Sequence, residues 1–161
     1  MNEFFEVHDD FLPQEHFKQL QSNLLGNRMW WFFNNFKVKK EDDEYQFINV
    51  FYNESGPTSS YFMVEPIISF LKPKKIHRIK ANLNTRTPSH RRSAYHTDGF
   101  PCNTTSILYI NTHNGSTFFK KGGKIKCIEN RLVTFDSKLE HAGVTCTDEQ
   151  RKVLINFNYD I

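Results

Sequence analysis

The sequence predicts a mainly β domain with flanking helices, an α+β sandwich or jelly roll whose N-terminal helices pack on one sheet. Three observations carry this. From Lys75 onward, apolar residues alternate with period two in short, evenly spaced stretches closed by turn residues, as strands of sandwiches and barrels do. Aromatic residues make up 15% of the chain, with 16 Phe, and alanine is scarce, which suits pleated sheets and speaks against a helical bundle. The 161 residues match one ordinary domain. A single domain over 1–161 is therefore expected, with 1–75 as a helical and strand support region and 76–161 as the β core.

The elements follow in order. Phe4-Phe5-Glu6-Val7 reads as a short strand within 3–11, turning at Asp9-Asp10. Pro13 opens a helix, where its missing N–H costs nothing. Phe17, Leu20 and Leu24 form the apolar stripe of that helix, and Gly26 ends it. Residues 29–38 and 45–52 read as two strands around a mixed-charge turn over 37–44, and 60–71 as a second helix stopped before Pro73. Further strands are expected at 76–85, 105–111, 116–120, 124–128, 131–135 and 152–159, with Gly122-Gly123 marking a hairpin.

Composition excludes several classes. The net charge of +3, from 21 Lys+Arg against 18 Asp+Glu, is too small to argue for nucleic acid. The load of rings argues against disorder. No apolar run approaches the ~20 residues of a membrane helix. The acidic first residues carry no signal-peptide pattern, and Cys102, Cys127 and Cys146 form no CxxC, so reduced thiols and a cytoplasmic location are expected.

The chemistry centres on His96-Thr97-Asp98. On a strand, residues i and i+2 point the same way, so both side chains can face one metal. With 18 acids in 161 residues such a pair carries little weight alone. His141, in Phe135-Asp-Ser-Lys-Leu-Glu-His141-Ala-Gly143, is the candidate third ligand. Two imidazoles and one carboxylate leave octahedral positions open, the pattern of non-haem Fe(II) oxygenases; zinc accepts the same donors, and two unrelated surface histidines remain an alternative. Arg151 stands at the start of the last strand, sharing a face with Val153, Ile155, Phe157 and Tyr159. A buried arginine there needs an anionic partner, and a dicarboxylate ligand inside the barrel would serve; an exposed edge arginine is the plain alternative.

Taken together, His96-x-Asp98, Tyr109 in Ile107-Leu-Tyr-Ile-Asn111, Gly115-Ser-Thr-Phe118, the segment from Phe135 to Gly143, and Arg151 resemble the 2-oxoglutarate/Fe(II)-dependent dioxygenases, in their prolyl 4-hydroxylase-like branch. Val7-His-Asp-Asp-Phe-Leu-Pro13 is similar to that branch's entry into its first helix. The resemblance covers about Lys80 to Tyr159 well and the front half loosely. It implies a double-stranded β-helix of cupin-like type and His96, Asp98 and His141 as iron ligands. It further implies Arg151 as partner of the distal 2-oxoglutarate carboxylate, and Tyr109 hydrogen-bonded to that carboxylate, whereas the bland reading of Tyr109 is a core tyrosine. The cofactor set it implies is Fe(II), 2-oxoglutarate and O2, with ascorbate as an accessory, and it requires no catalytic acid or base. Arg86 departs from the tyrosine that hypoxia-type members place ten residues before the first histidine. Phe157 stands where alkylation-repair members carry a second arginine, which weighs against nucleic acid as substrate. Asp98 retains the carboxylate that halogenases lose.

Asn82, Asn84, Tyr95 and Phe157 are candidate pocket-lining residues, and for the first three a structural strand position is the plainer reading. Trp30 and Trp31 read as core packing or as substrate gates. The loops over 34–45 and 85–94 are expected to frame the mouth. The expected activity is hydroxylation of a peptidyl proline with release of succinate and CO2. The alternatives are hydroxylation of a free amino acid or other small metabolite, and a catalytically silent binding module. Partners would be a peptide or small molecule, with no membrane and an open oligomeric state.

Overall fold

The computed structural model describes residues 3–40 and 44–161. Residues 41–43, within the expected charged turn and mouth loop, and Met1-Asn2 lie outside the described residues. Eleven strands and two α-helices run in the order β1 (Phe5–His8), α1 (Gln14–Leu25), β2 (Phe32–Asn34), β3 (Gln46–Asn53), β4 (Gly56–Pro57), α2 (Glu65–Leu71), β5 (Lys75–Thr85), β6 (Thr104–Tyr109), β7 (Ser116–Phe119), β8 (Gly123–Lys126), β9 (Leu132–Asp136), β10 (His141–Gly143) and β11 (Arg151–Asp160) among the described residues. A 3₁₀ turn, Tyr61–Met63, precedes α2.

The strands form two antiparallel sheets. The larger has the order β1-β9-β6-β11-β5-β3-β2, with β4 paired to β3; the smaller has the order β10-β7-β8. Bridges Arg92↔Val144 and His96↔His141 add the segment around 92–96 to the smaller sheet beside β10. This is the expected jelly roll. The front segment does more than support it: β3 pairs with β5 from Phe47↔Leu83 to Tyr52↔Ile79 and so supplies a wall of the barrel.

Helix α1 forms because Phe17, Leu20 and Leu24 recur at helical spacing and are all buried. It starts directly after Pro13, whose carbonyl accepts from the Phe17 N–H. Gly26 ends it with extended backbone rather than a left-handed turn. What demands glycine there is space, since a Cβ would lie 2.6 Å from the Ser22 carbonyl oxygen. Helix α2 closes on Lys72, which is left-handed at φ 48°.

One face of the larger sheet packs against these helices. Leu12, Phe17, Leu20, Leu24, Val64 and Ile67 meet Ile79, Ala81, Leu108, Val153, Ile155 and Phe157 there. Each buried large side chain is worth ~2–3 kcal/mol relative to exposure. The other face looks toward the smaller sheet, where Phe5, Ile107, Tyr109, Phe119, Val133, Phe135 and Leu154 form a second cluster. Strand β11 is thus buried on both sides. Its odd positions face the helices, and its even positions face the interior between the sheets. No helix among the described residues is long and apolar enough to cross a membrane.

Candidate metal centre and cavity

Between the sheets lies a cavity of about 460 Å³. At one end His96, Asp98 and His141 converge, with one potential ligand atom from each lying within 4.8 Å of the others. The backbone brings the histidines together: the His96 N–H donates to the His141 carbonyl at 3.0 Å, and the His141 N–H to the His96 carbonyl at 2.9 Å. The ring centroids are 4.7 Å apart. Nδ1 of His96 lies 3.1 Å from the Ala94 carbonyl, and Nδ1 of His141 lies 3.3 Å from the Leu139 carbonyl. A carbonyl only accepts, so each Nδ1 must carry the proton. That leaves both Nε2 lone pairs for a metal, the second-sphere arrangement of ligating histidines. Burial lowers the His141 pKa, which favours the neutral, ligating form, and Asp98 only partly opposes it.

Asp98 is oriented by two neighbours. Its Oδ2 accepts from Asn158 Nδ2 at 2.8 Å, and Arg78 Nη2 stands 3.2 Å from its Oδ1. Burial alone would raise the carboxyl pKa, but Arg78, His141, the Asn158 hydrogen bond and His96 outweigh it and hold the group below its ordinary value. Asn158 also accepts from Arg78 Nε at 3.1 Å, and the guanidinium lies 4.5 Å over the Phe100 ring. This donor set fits a divalent metal: two neutral imidazoles, one ionised carboxylate, and dry aromatic backing from Phe135, 5.0 Å from the His141 ring. The same i, i+2 spacing occurs at His8 and Asp10, but both are exposed. His96, Asp98 and His141 form the one such cluster among the described residues.

Of the two adjacent basic residues that open β11, Lys152 lines the cavity and Arg151 does not. Arg151 lies on the odd face of β11, and its guanidinium donates to the Leu25 carbonyl at the end of α1. It therefore faces the helices and does not line the cavity. This corrects the expectation from the apolar face of the strand: that face is the helix-side core, and the polar even face belongs to the cavity. Lys152 is 3% exposed. Its ammonium donates to the Val144 carbonyl at 2.9 Å and lies 3.3 Å from where a Cβ on Gly143 would stand. Gly143 is two strand residues from His141, so the ammonium sits roughly 7 Å along β10 from that ligand. Burial lowers its pKa.

Tyr109 is fully buried and does not line the cavity. Its hydroxyl donates to Thr117 Oγ1 at 2.8 Å, and Thr117 is the cavity-lining group. The expected direct contact of Tyr109 with a ligand is thereby displaced by one residue, leaving the Thr117 proton available to a ligand. Phe157 packs in the helix-side core, and Tyr95 lies under the Arg92 guanidinium outside the cavity, so neither is a lining residue. Asn82 and Asn84 do line it. Trp30 is 76% exposed rather than core, while Trp31 packs against the helix-side cluster. Of the two expected mouth loops, Asn34, Phe36, Lys37 and Val38 line the cavity from the first. The second is stitched to Thr145, which accepts from the Arg91 N–H at its Oγ1 and meets His90 Nδ1 at its carbonyl.

Sequence reading missed Arg78, Lys80, Asn156 and Asn158, which with Lys152 line or brace this site. The available signal was the polar run of alternate positions, 78-80-82-84 facing 152-156-158 across the β5–β11 register.

The fold is similar to that of a viral collagen prolyl hydroxylase from Paramecium Bursaria Chlorella virus-1, solved with 2-oxoglutarate, at TM-score 0.62 and 16% identity over 97% of this chain and 95% of that one. It is similar to a Trichoplax adhaerens prolyl hydroxylase in complex with a hypoxia inducible factor peptide fragment, at TM-score 0.65 and 14% identity over 97% and 83%. It is also similar to the non-heme alpha ketoglutarate dependent carbocyclase SnoK from nogalamycin biosynthesis, at TM-score 0.67 and 10% identity over 98% and 79%. No protein-family model matches the sequence, and no curated protein matches it. At these identities the shared property is the fold: this chain has the jelly roll of the 2-oxoglutarate/Fe(II) oxygenases.

Proposed function

We propose that this chain, as one catalytic unit over its 161 residues, is an Fe(II)- and 2-oxoglutarate-dependent oxygenase that hydroxylates a C–H bond of a peptidyl proline. The observation that carries the reading is the convergence of His96, Asp98 and His141 on a cavity that also holds a buried lysine. Iron(II) with 2-oxoglutarate and O2 supplies the oxidation that turns C–H into C–OH and releases succinate and CO2.

The chain's residues bind, orient and exclude water. His96 and His141 present Nε2, with their rings held by backbone carbonyls. Asp98 adds the anionic donor, aimed by Asn158 and Arg78. Lys152 receives the far carboxylate of 2-oxoglutarate in place of the arginine expected from sequence, and Thr117, backed by Tyr109, donates a hydrogen bond to the same end. A buried lysine with only a carbonyl as partner is an incomplete ion pair that a dicarboxylate completes. No side chain need act as acid or base. The proline substrate draws support from the prolyl hydroxylases among the similar folds. The three cysteines, all free and buried, support a reducing, cytoplasmic setting. The cations of the cavity favour one second reading, a small acidic metabolite as substrate.

The test is anaerobic titration of Fe(II) and 2-oxoglutarate, followed by a succinate-release screen with proline-rich peptides, free amino acids and single-stranded DNA. A visible charge-transfer band that is lost in His141→Ala is expected, with turnover on peptides. No band, or turnover on DNA alone, overturns the assignment.

A further inference from the structure

Four cationic side chains line the cavity, Lys37, Arg78, Lys80 and Lys152, against one carboxylate, Asp98. Three of them are accounted for. Lys37 pairs with Glu44 at 3.3 Å. Arg78 pairs with Asp98 and Asn158 and stacks on Phe100. Lys152 reaches Val144 and serves the cosubstrate. The Lys80 ammonium makes neither hydrogen bond nor ion pair with any described residue, and feels Asp98 only at longer range.

Its surroundings are also incomplete. Lys80 sits on β5 one strand step beyond Arg78, opposite Asn156 on β11 and Val50 on β3. Asn156 Oδ1 and Asn82 Oδ1 are buried and have no hydrogen-bond partner, and both residues are 8% exposed and line the cavity. Lys80 itself is half-buried and lines the cavity, and buried amide oxygens without partners beside it are costly unless a ligand completes the group. An amide turns either end toward a ligand, so two asparagines and one ammonium can grip a carboxylate from three sides. The two carboxylates of 2-oxoglutarate are already assigned, one to the metal and one to Lys152, so this third anion position is left for the other substrate.

We propose that Lys80, flanked by Asn82 and Asn156, is the subsite for a carboxylate carried by the primary substrate. The inference rests on the oxygenase reading and narrows it. The carboxylate comes either from an acidic side chain beside the target proline or from the free α-carboxylate of a small substrate.

The experiment uses Mn(II)-loaded protein with 2-oxoglutarate bound, titrated calorimetrically with matched probes. One pair is a proline peptide with Asp, and then Asn, next to the proline. The other is free L-proline against L-prolinamide. In at least one pair the acid should bind roughly tenfold tighter than its neutral counterpart. That preference should vanish in Lys80→Met and persist in Lys80→Arg, while 2-oxoglutarate affinity stays within about twofold in both variants. If neither acid binds better than its neutral counterpart, the Lys80 assignment falls and the oxygenase reading stands. A Lys80→Met variant that loses 2-oxoglutarate affinity instead places Lys80 with the cosubstrate and also overturns the proposal. Failure of the wild-type protein to bind 2-oxoglutarate at all overturns both.

Discussion

Replacing Lys152 by Met separates folding from function in opposite directions. The side chain keeps its length and volume but loses its charge. In the free protein the ammonium is buried with a single carbonyl partner, Val144. A charge in that state costs several kcal/mol, partly returned by the carbonyl hydrogen bond, so removal should stabilise the fold by ~1–3 kcal/mol. For a chain of this size that is a rise in Tm of ~2–4 °C per kcal/mol. With 2-oxoglutarate bound, the same substitution strips one partner from a buried, hydrogen-bonded pair, which costs ~2–5 kcal/mol. At ~1.4 kcal/mol per decade, the Kd for 2-oxoglutarate should rise by roughly 30-fold to several thousand-fold. Thermal melts of metal-loaded protein with and without 2-oxoglutarate read both effects, since a ligand of the native state stabilises it by RT ln(1 + [L]/Kd). Wild type should start lower and climb on addition; Lys152→Met should start higher and stay flat. Arg151→Met is the control with the reverse pattern. It loses its hydrogen bond to the Leu25 carbonyl, melts lower, and still responds to 2-oxoglutarate. A Lys152→Met protein that climbs like wild type, or an Arg151→Met protein that does not, refutes the placement.

Other perturbations follow from the same structure. Burial holds His113 down to about 4, so the folded state takes up its proton later than the unfolded state. Stability should therefore fall as pH drops from 6.5 toward 4, by about 3 kcal/mol; urea unfolding across that range should show a flatter profile for His113→Gln, and equal slopes would contradict this. Asn130, left-handed at φ 58°, accepts from the Leu12 N–H and donates to the Leu12 carbonyl. Asn130→Ala removes both bonds and leaves an unfavourable backbone, so a loss of ~2–4 kcal/mol is expected in chemical denaturation. Asp98→Ala removes the anionic donor and leaves Arg78 facing the two imidazoles; Mn(II) affinity measured by paramagnetic resonance should drop at least about tenfold, and unchanged affinity would exclude Asp98 as a ligand.

The histidine and aspartate positions were readable because their spacing is local on one side and their donor types are restrictive. The cation was misread for a physical reason. Period two separates a core face from a solvent face only when one face is wet. In β11 every residue from Lys152 to Tyr159 is buried. Both faces are inside, and the apolar one, with Val153, Ile155 and Phe157, packs on helices. The face turned to the cavity and to Asp98 was the polar one, Lys152, Asn156 and Asn158. Trp30 was misjudged similarly: an indole reads as core, yet beside the edge strand β2 it lies open to solvent. Strand β10 escaped notice because three residues ending in glycine carry no pattern. Its existence depends on pairing with β7, a partner more than twenty residues away in sequence. The front half was underrated because β3 becomes a cavity wall only through its register with β5.

The reciprocal backbone bonds between His96 and His141 separate the identity of the ligands from their spacing. The main chain holds these two positions face to face whatever side chains they carry. Other donors placed at 96 and 141, such as cysteine or glutamate, would inherit a ready-made separation. The pair is thus a socket for changing metal preference, with Asp98, which hangs on side-chain contacts alone, as the member that must be rebuilt each time.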